Sequence, residues 1–527
     1  MQKSINLILL FSILFLLALY SKHARAQMPG DNLFFAPIVH VVNITFSQPD
    51  YWNLLTTNYD SSIDKDTGIY IVSKITIDSL TFDSVGIRLK GNSSYKHPGF
   101  KKPFKISFNQ YISNQNFDNL KQINFNNGYL DPSMMREKLM LDFLNQKEIP
   151  APRCAYAEVN FNGAYVGLYK IVEEVDKIFL KSHFGNKKGN LYKGDPSGTL
   201  EFKGEAKWNY YEDYNLKTNE TINDWTDLIK FINQINNSAQ ADFKNITDGV
   251  FNSSPFIKAW AANNLFVNLD SYFNFPHNYY LYHNQSTQKF EWITWDVSVS
   301  FGVFPLYSEK RASNLEVLFI PNRRQKHPLT VKMLETEDYK NEYLNAFCNF
   351  LYNDFKEEIL FPKIDSLYKI LHPFIERELP SNQMYSLNDF EQNISEGTIK
   401  KWWYQAPGLK SFITARRNFV INRLCEMKWS CEKGQNIKES RNEILTIYPN
   451  PTAGDLKVEL KILEPESRKV DYQITNTLGE IVYRESSIAI GNGYQITLPG
   501  VLFDPGIYIL SAISGCESYN QKIVVIK

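Results

Sequence analysis

The chain has 527 residues, more than one ordinary hydrophobic core takes up, so two or three domains are expected. Apolar residues make up 43% and aromatic residues 14% of it, with 36 Phe and 31 Tyr to fill large cores. Lys plus Arg and Asp plus Glu each number 57, a balance that gives no electrostatic reason to expect nucleic-acid binding and leaves only a local basic patch open.

The first 26 residues read as a signal peptide: Lys3, an apolar run over 5–20, then Ala24-Arg25-Ala26 as a cleavage site. The alternative is a membrane anchor, but the run is short for a span of roughly 20 residues. No later segment is apolar enough to span, so the mature chain is expected outside the cytoplasm without a transmembrane segment. From 33 to 200 strands predominate. Residues 38–46, 85–90 and 103–108 are β-rich, the last two with the period-two alternation of half-buried strands around the turn Gly91-Asn92-Ser93-Ser94. A helix is expected over 133–146, capped by Asp131 or Ser133. Strands 156–161 and 165–172 flank Asn162-Gly163, a strong hairpin signal.

From 220 to 430 the pattern turns helical, with helices expected over 225–235, 255–267, 339–353, 364–378 and 411–427. One hairpin interrupts them, with strands 278–283 and 289–295. The two halves are expected as two lobes of a domain spanning 27–430. Five Cys leave at least one free or paired between chains. Cys425 and Cys431 are close enough for a local disulfide, and Cys154 and Cys348 read as buried small hydrophobes. A polar linker over 431–443 leads to short strands from 444 to 527, the spacing of a small β-sandwich.

That tail carries Tyr448-Pro449-Asn450-Pro451-Thr452, Asn476-Thr477-Leu478-Gly479, Pro505-Gly506-Ile507-Tyr508 and the terminal Lys522-Ile523-Val524-Val525. These signatures, in this order, resemble a type A sorting domain of the type IX secretion system. The resemblance implies a small Ig-like all-β sandwich and export through the periplasm of a Bacteroidota-type cell by that machinery. The product is then secreted or held at the surface. An adhesive or carbohydrate-binding module is the alternative reading of the same strands.

Chemistry concentrates around the 278–295 hairpin. A helix ends near Asp270, a loop with Asn274, His277 and Asn278 enters the first strand, and the second strand ends at Asp296. A hairpin returns its last residue to the end where it began, so Asp270 and Asp296 are expected together, with amide oxygens beside them. Phosphoryl transfer uses this inventory: one carboxylate orients the attacking hydroxyl, and another, aided by an Asn, holds Mg²⁺. The order catalytic Asp, Asn, hairpin, metal Asp is that of protein kinases, although no His-Arg-Asp or Asp-Phe-Gly triplet occurs. His277 reads as a structural hydrogen-bonder. A kinase also needs a phosphate-binding lysine. Lys105, on the opposite strand face from Phe104 and Ile106, is the choice, with Lys101 and Lys102 competing. Glu173 is its expected partner, with Glu174 the alternative. The run Arg323-Arg324-Gln325-Lys326-His327 is a solvated loop or an attraction for an acidic partner.

Several motifs together carry a second resemblance. They are Arg88-Leu89-Lys90-Gly91-Asn92-Ser93-Ser94 with Lys101-Lys102-Pro103-Phe104-Lys105, then Asn127-Gly128-Tyr129-Leu130-Asp131 with Met135-Arg136-Glu137, and Asn162-Gly163 with Gly167-Leu168-Tyr169 and Glu173-Glu174. Asp270, His277-Asn278-Tyr279-Tyr280 and Trp295-Asp296 with Gly302 complete the set. Over roughly 35–430 the chain resembles the CotH family of spore-coat and secreted proteins. The resemblance implies an α+β, divergent bilobal protein-kinase-like fold that phosphorylates Ser/Thr of a secreted or surface protein with Mg²⁺ and ATP. It implies Asp270 as the catalytic residue, Asp296 and Asn278 as metal ligands, and Lys105, Arg88 and Glu173 at the nucleotide. Many members carry a second acid two residues after the metal Asp, where this chain has Ser298. A catalytically silent kinase-like scaffold or adhesin is the rival reading.

Overall fold

The computed structural model describes residues 28–62, 68–305, 307–322, 324–401, 403–431, 435–436, 444–461, 469–488, 493–499, 503–514 and 517–526. The expected signal peptide and most of the expected linker lie outside the described residues. Among the described residues, no helix is long and apolar enough to cross a membrane. The chain forms two compact units. One comprises the described part of Met1–Tyr129 with Pro152–Lys188 and Ile370–Met384; the other comprises Leu130–Ala151, Gly189–Lys369 and the chain from Tyr385 onward.

The first unit is a closed barrel in the order β1-β2-β3-β4-β5-β7-β6. Its strands are β1 Val39–Thr45, β2 Ile71–Ile77, β3 Leu80–Leu89, β4 Phe104–Ser107, β5 Gln122–Asn126, β6 Cys154–Phe161 and β7 Ala164–Glu173. Every second residue points inward, so Val42, Ile44, Ile75, Ile87, Ile106 and Phe125 are buried in one core. Fully burying each such side chain contributes about 1.5–3 kcal/mol. The hairpin forms as expected, with Phe161 opposite Ala164 and positive φ at Asn162 (48°) and Gly163 (83°). The β-rich front half is a barrel whose strands close on themselves, a closure the two-lobe expectation did not include. The cause is the parallel pairing of β1 with β6, Val39 opposite Tyr156, a long-range contact that no local pattern announces.

The segment Ile370–Met384 completes this unit by supplying Glu378. Its carboxylate accepts from Lys101 Nζ at 2.6 Å and from the Leu168 amide at 2.7 Å, and the Lys101 and Glu378 side chains are only 5% and 4% exposed. Gly167 makes this approach feasible. It sits at φ +150°, and a Cβ there would lie 2.8 Å from Glu378 Oε1.

In the second unit the sheet order is β11-β10-β8-β9, with β8 Leu191–Gly194, β9 Tyr214–Leu216, β10 Tyr279–Asn284 and β11 Lys289–Thr294. The helix Ser253–Leu265 packs on the helix Glu337–Asn353, with Trp260 4.4 Å from Tyr343. Cys348 of the latter helix forms a disulfide with Cys431, 83 residues on. This corrects two expectations: Cys348 is not a plain buried hydrophobe, and Cys431 does not pair with Cys425, which is disulfide-bonded itself. The helix Leu409–Glu426 carries Cys425 in its last turn. The chain then runs on through Trp429–Ser430, paired with Gln435–Asn436, and this carries Cys431 beyond its sequence neighbour. Cys154 is free and buried, as expected.

The tail is all-β, as expected, in two sheets. One holds Ile444–Tyr448, Leu456–Lys461 and Gly493–Leu498; the other holds Ile481–Ile488, Lys469–Asn476, Gly506–Ser514 and Glu517–Val525. Val458, Ile474, Leu498, Leu510 and Ile523 share one core drawn from both sheets.

Candidate functional site

Antiparallel pairing of β10 with β11 sets Tyr279 opposite Thr294. The residues just beyond each end, Asn278 and Trp295, join through the Trp295 amide and the Asn278 carbonyl at 3.3 Å. Asp296 follows at once. Asn278 (φ 60°) and Asp296 (φ 49°) both adopt left-handed backbone, a conformation that Asn and Asp tolerate better than most residues. The Asn278 side chain reaches back and donates from Nδ2 to the Asp270 carbonyl at 2.8 Å and to Asp270 Oδ2 at 3.4 Å. The hairpin thus brings the loops of Asp270 and Asp296 together in the second unit, as expected from the sequence.

The loop from 268 to 277 is stitched to itself. Ser271 Oγ donates to the Asn268 carbonyl at 2.7 Å, and Asn274 Nδ2 donates to the Leu269 carbonyl at 3.0 Å. Tyr272 and Phe273 are buried and anchor it; the Tyr272 ring lies 5.4 Å from Trp292 and the Phe273 ring stacks on Trp260 at 6.2 Å. At its start Val267 takes φ 50°, an outlying conformation for a β-branched residue, over-determined by neighbours. The Gly302 amide donates to the Val267 carbonyl at 3.3 Å, which ties the Asp270 loop to the segment after Asp296. Gly302 has φ +78°, and a Cβ there would lie 2.5 Å from Phe412. Arg416 secures the preceding helix end: its buried guanidinium donates to Asn264 Oδ1 at 2.8 Å, to the Leu265 carbonyl at 3.4 Å and to the Ser313 carbonyl at 3.1 Å. Burial pulls its pKa down to about 9, so it remains a cation at neutral pH.

His277 Nε2 lies 2.8 Å from Asp270 Oδ1. Burial pulls the imidazole pKa down, but Asp270, with Asp195 and Asp296 beyond it, outweighs burial and raises it above its ordinary value. His277 is the hydrogen-bonder the sequence suggested, and Asp195, just after β8, is an acid that sequence reading missed. Asp296 Oδ1 accepts from the Ser298 hydroxyl at 2.7 Å. Ser298 therefore orients the Asp296 carboxylate.

The first unit holds the lysine. The register Arg88–Lys105–Asn124–Val172 runs across β3, β4, β5 and β7, with Phe104 and Ile106 turned inward. Lys105 Nζ pairs with Glu174 Oε1 at 2.8 Å, and Asn124 Nδ2 donates to Glu174 Oε2 at 2.6 Å. Lys90 Nζ donates to Asn124 Oδ1 at 3.2 Å. Burial alone would raise the Glu174 pKa, but Lys105, Asn124 and Lys90 together bring it down to about 2. The expected partner, Glu173, lies elsewhere: its Oε2 accepts from Arg153 Nε at 2.9 Å. The reason is strand alternation, which puts Glu174 on the Val172 face and Glu173 on the other. Arg88 sits in the register beside Lys105, but its guanidinium turns to the Tyr70 ring, 5.5 Å away. The competing lysines are taken, Lys101 by Glu378 and Lys102 by the Tyr95 carbonyl at 2.7 Å.

Magnesium suits the acidic hairpin. It prefers one or two carboxylates and keeps several waters. Asp296 would supply a carboxylate, held by Ser298, and Asn278, its amide nitrogen committed to Asp270, would have its side-chain oxygen to offer.

Fold and site define a class: a mixed α+β domain with an acidic hairpin site, followed by an all-β tail. The chain belongs to the CotH kinase protein family, whose model matches residues 87–420. A secretion system C-terminal sorting domain matches 446–526, which marks an exported protein of the type IX route. Over 296 residues the chain is 28% identical to the inner spore coat protein H of Bacillus subtilis strain 168, covering 55% of this chain and 77% of that one.

Proposed function

We propose that the protein is an exported atypical kinase that transfers the γ-phosphate of ATP to Ser or Thr of a secreted or surface protein. The observation that carries this reading is the hairpin geometry: Asn278 Nδ2 donates to the Asp270 carbonyl at 2.8 Å, and the amide of Trp295, the residue before Asp296, donates to the Asn278 carbonyl at 3.3 Å. Asp270 accepts the proton of the acceptor hydroxyl as its oxygen bonds to the γ-phosphorus and ADP departs. His277 holds Oδ1 at 2.8 Å, and Oδ2, which accepts only a long 3.4 Å bond from Asn278, would take the acceptor proton. Asp296 and Asn278 would hold Mg²⁺, which neutralises phosphate charge when bound. Lys105, paired with Glu174 at 2.8 Å, is assigned to a phosphate, with Arg88 as a second cation on the same barrel face and Glu173 holding Arg153.

A catalytically silent surface scaffold is the second reading. It is favoured by Ser298, which stands where the family resemblance implies a second acid and donates its hydroxyl to Asp296. Calorimetry with Mg-ATP separates the two. The kinase reading expects binding that weakens at least tenfold in Asp296→Asn and in Lys105→Met. Wild-type protein that binds no Mg-ATP would sink it.

A further inference from the structure

The four signatures of the tail lie far apart in sequence but meet at one end of one sheet. The turn at 476–479 joins Lys469–Asn476 to Ile481–Ile488; Tyr508 lies opposite Asn476, and Val524 opposite Ile507. Asn450 closes the group: its Nδ2 donates to the Lys522 carbonyl at 2.6 Å, and its Oδ1 accepts from the Val524 amide at 2.9 Å. The turn is held without any help from its leucine. Asn476 Oδ1 accepts from the Leu478 and Glu480 amides, each at 3.0 Å, and Gly479 supplies the left-handed residue at φ 84°. Leu478 is 83% exposed, so the fold gains nothing from burying it.

More apolar side chains stand beside it. Ile474, Leu510 and Ile523 point into the tail core, so strand alternation turns Thr475, Ile507, Ile509 and Val524 to the outer face. Ile481 pairs with Thr475, and a bulge leaves Val482 as the extra residue next to it. Ile481, Val482, Ile507 and Ile509 are all exposed. Farther along the same face the row Arg484, Gln473, Ser511 and Asn520 is polar, with the Ser511 hydroxyl donating to Asn520 Oδ1 at 2.6 Å. The apolar surface is thus confined to the end where the signatures meet, and an exposed contiguous patch of this kind marks an interaction site. We propose that this patch, with Leu478 at its tip, is the face by which the sorting tail docks into an apolar recess of the type IX secretion machinery. The occupant follows from two observations. The whole patch falls within 446–526, the segment that matches a sorting domain. Within the signatures, Asn450, Asn476 and Gly479 build the end of the sheet, while Leu478 and Ile507 are what it presents to solvent.

The test expresses the full chain in a bacterium with a working type IX route and measures, by immunoblot, the fraction found outside the outer membrane. Leu478→Ser/Ile509→Ser is expected to lower that fraction at least about tenfold, the effect of losing the burial of one such side chain, and to leave folded protein in the periplasm. Leu478→Met is expected to keep most of the export, and Gln473→Ala/Ser511→Ala, at the polar end of the same face, to keep all of it. Protease resistance of the tail should match wild type in every variant. Should the double variant lose it, Leu478→Asp decides, because that side chain lies outside the core. Export unchanged in the folded Leu478 variants overturns the docking face alone. Wild-type protein that sediments as a dimer, with Leu478→Ser/Ile509→Ser a monomer, gives the patch to a second copy and overturns it as well. Wild-type protein that stays in the periplasm contradicts the sorting role of the tail itself and the docking face with it.

Discussion

Replacing Lys105 by Met tests the polar network on the barrel face. Glu174 is 15% exposed and its carboxyl is held at about 2, against an ordinary 4.5, chiefly because Lys105 outweighs the effect of burial. A depressed carboxylate pKa adds stability that is present above 4.5 and is lost as pH falls through 2. At about 1.36 kcal/mol per pKa unit, the full contribution is about 3 kcal/mol at pH 8 and about half of that near pH 3. Without Lys105, only Asn124 and Lys90 oppose burial and the Glu174 pKa rises from about 2, so the variant loses most of this amount at neutral pH. Hydrogen exchange of β4 and β5 peptides, read across pH, gives the local free energy. The expected result is a loss of most of that contribution at pH 8 that shrinks toward acid, with recovery in Lys105→Met/Glu174→Gln. A loss below about 1 kcal/mol, or one that does not change with pH, would refute the reasoning.

Three further outcomes follow from the geometry. Gly167→Ala drives a methyl into Glu378 and breaks its buried pair with Lys101, with an expected loss of about 3–5 kcal/mol by urea denaturation. Cys348→Ala opens the bond to Cys431; the separation of 83 residues corresponds to about 4.5 kcal/mol of loop entropy as an upper figure, and non-reducing peptide maps should show the 348–431 linkage in wild type. The raised His277 pKa adds stability that is complete below 6.5 and lost as pH rises through the higher folded value. In Asp270→Asn, burial takes over, so the His277 resonance should titrate at lower pH than in wild type by NMR of imidazole-labelled protein; an unchanged midpoint contradicts the assigned pairing.

What the sequence made legible was local. The Asn162-Gly163 hairpin and the β10–β11 hairpin follow from turn chemistry and period-two alternation, and the structure has both, with Asn278 at the start of the second bonded to the Asp270 carbonyl. The helix expected over 255–267 is present as Ser253–Leu265, displaced by the left-handed turn at Val267. Long-range events stayed hidden. Closure of the barrel rests on β1 meeting β6 in parallel, and the Cys348–Cys431 bond joins residues 83 positions apart. The choice of Glu173 over Glu174 failed on a single step of strand parity, which becomes readable only when β7 is registered against β5. Asp195 was missed because nothing in its own neighbourhood, an Asp-Pro after a short strand, points to a histidine more than eighty residues on.

The most direct test is phosphate transfer itself. Wild type, Asp270→Asn and Asp296→Asn would be incubated with γ-labelled ATP and Mg²⁺ and a Ser/Thr-containing acceptor protein, and the transferred label counted. The account predicts phosphoserine or phosphothreonine in the wild-type reaction and a fall of about 10²–10⁴-fold in both variants, the range for loss of a positioned acid or base. Equal labelling by all three proteins would contradict the roles given to Asp270 and Asp296.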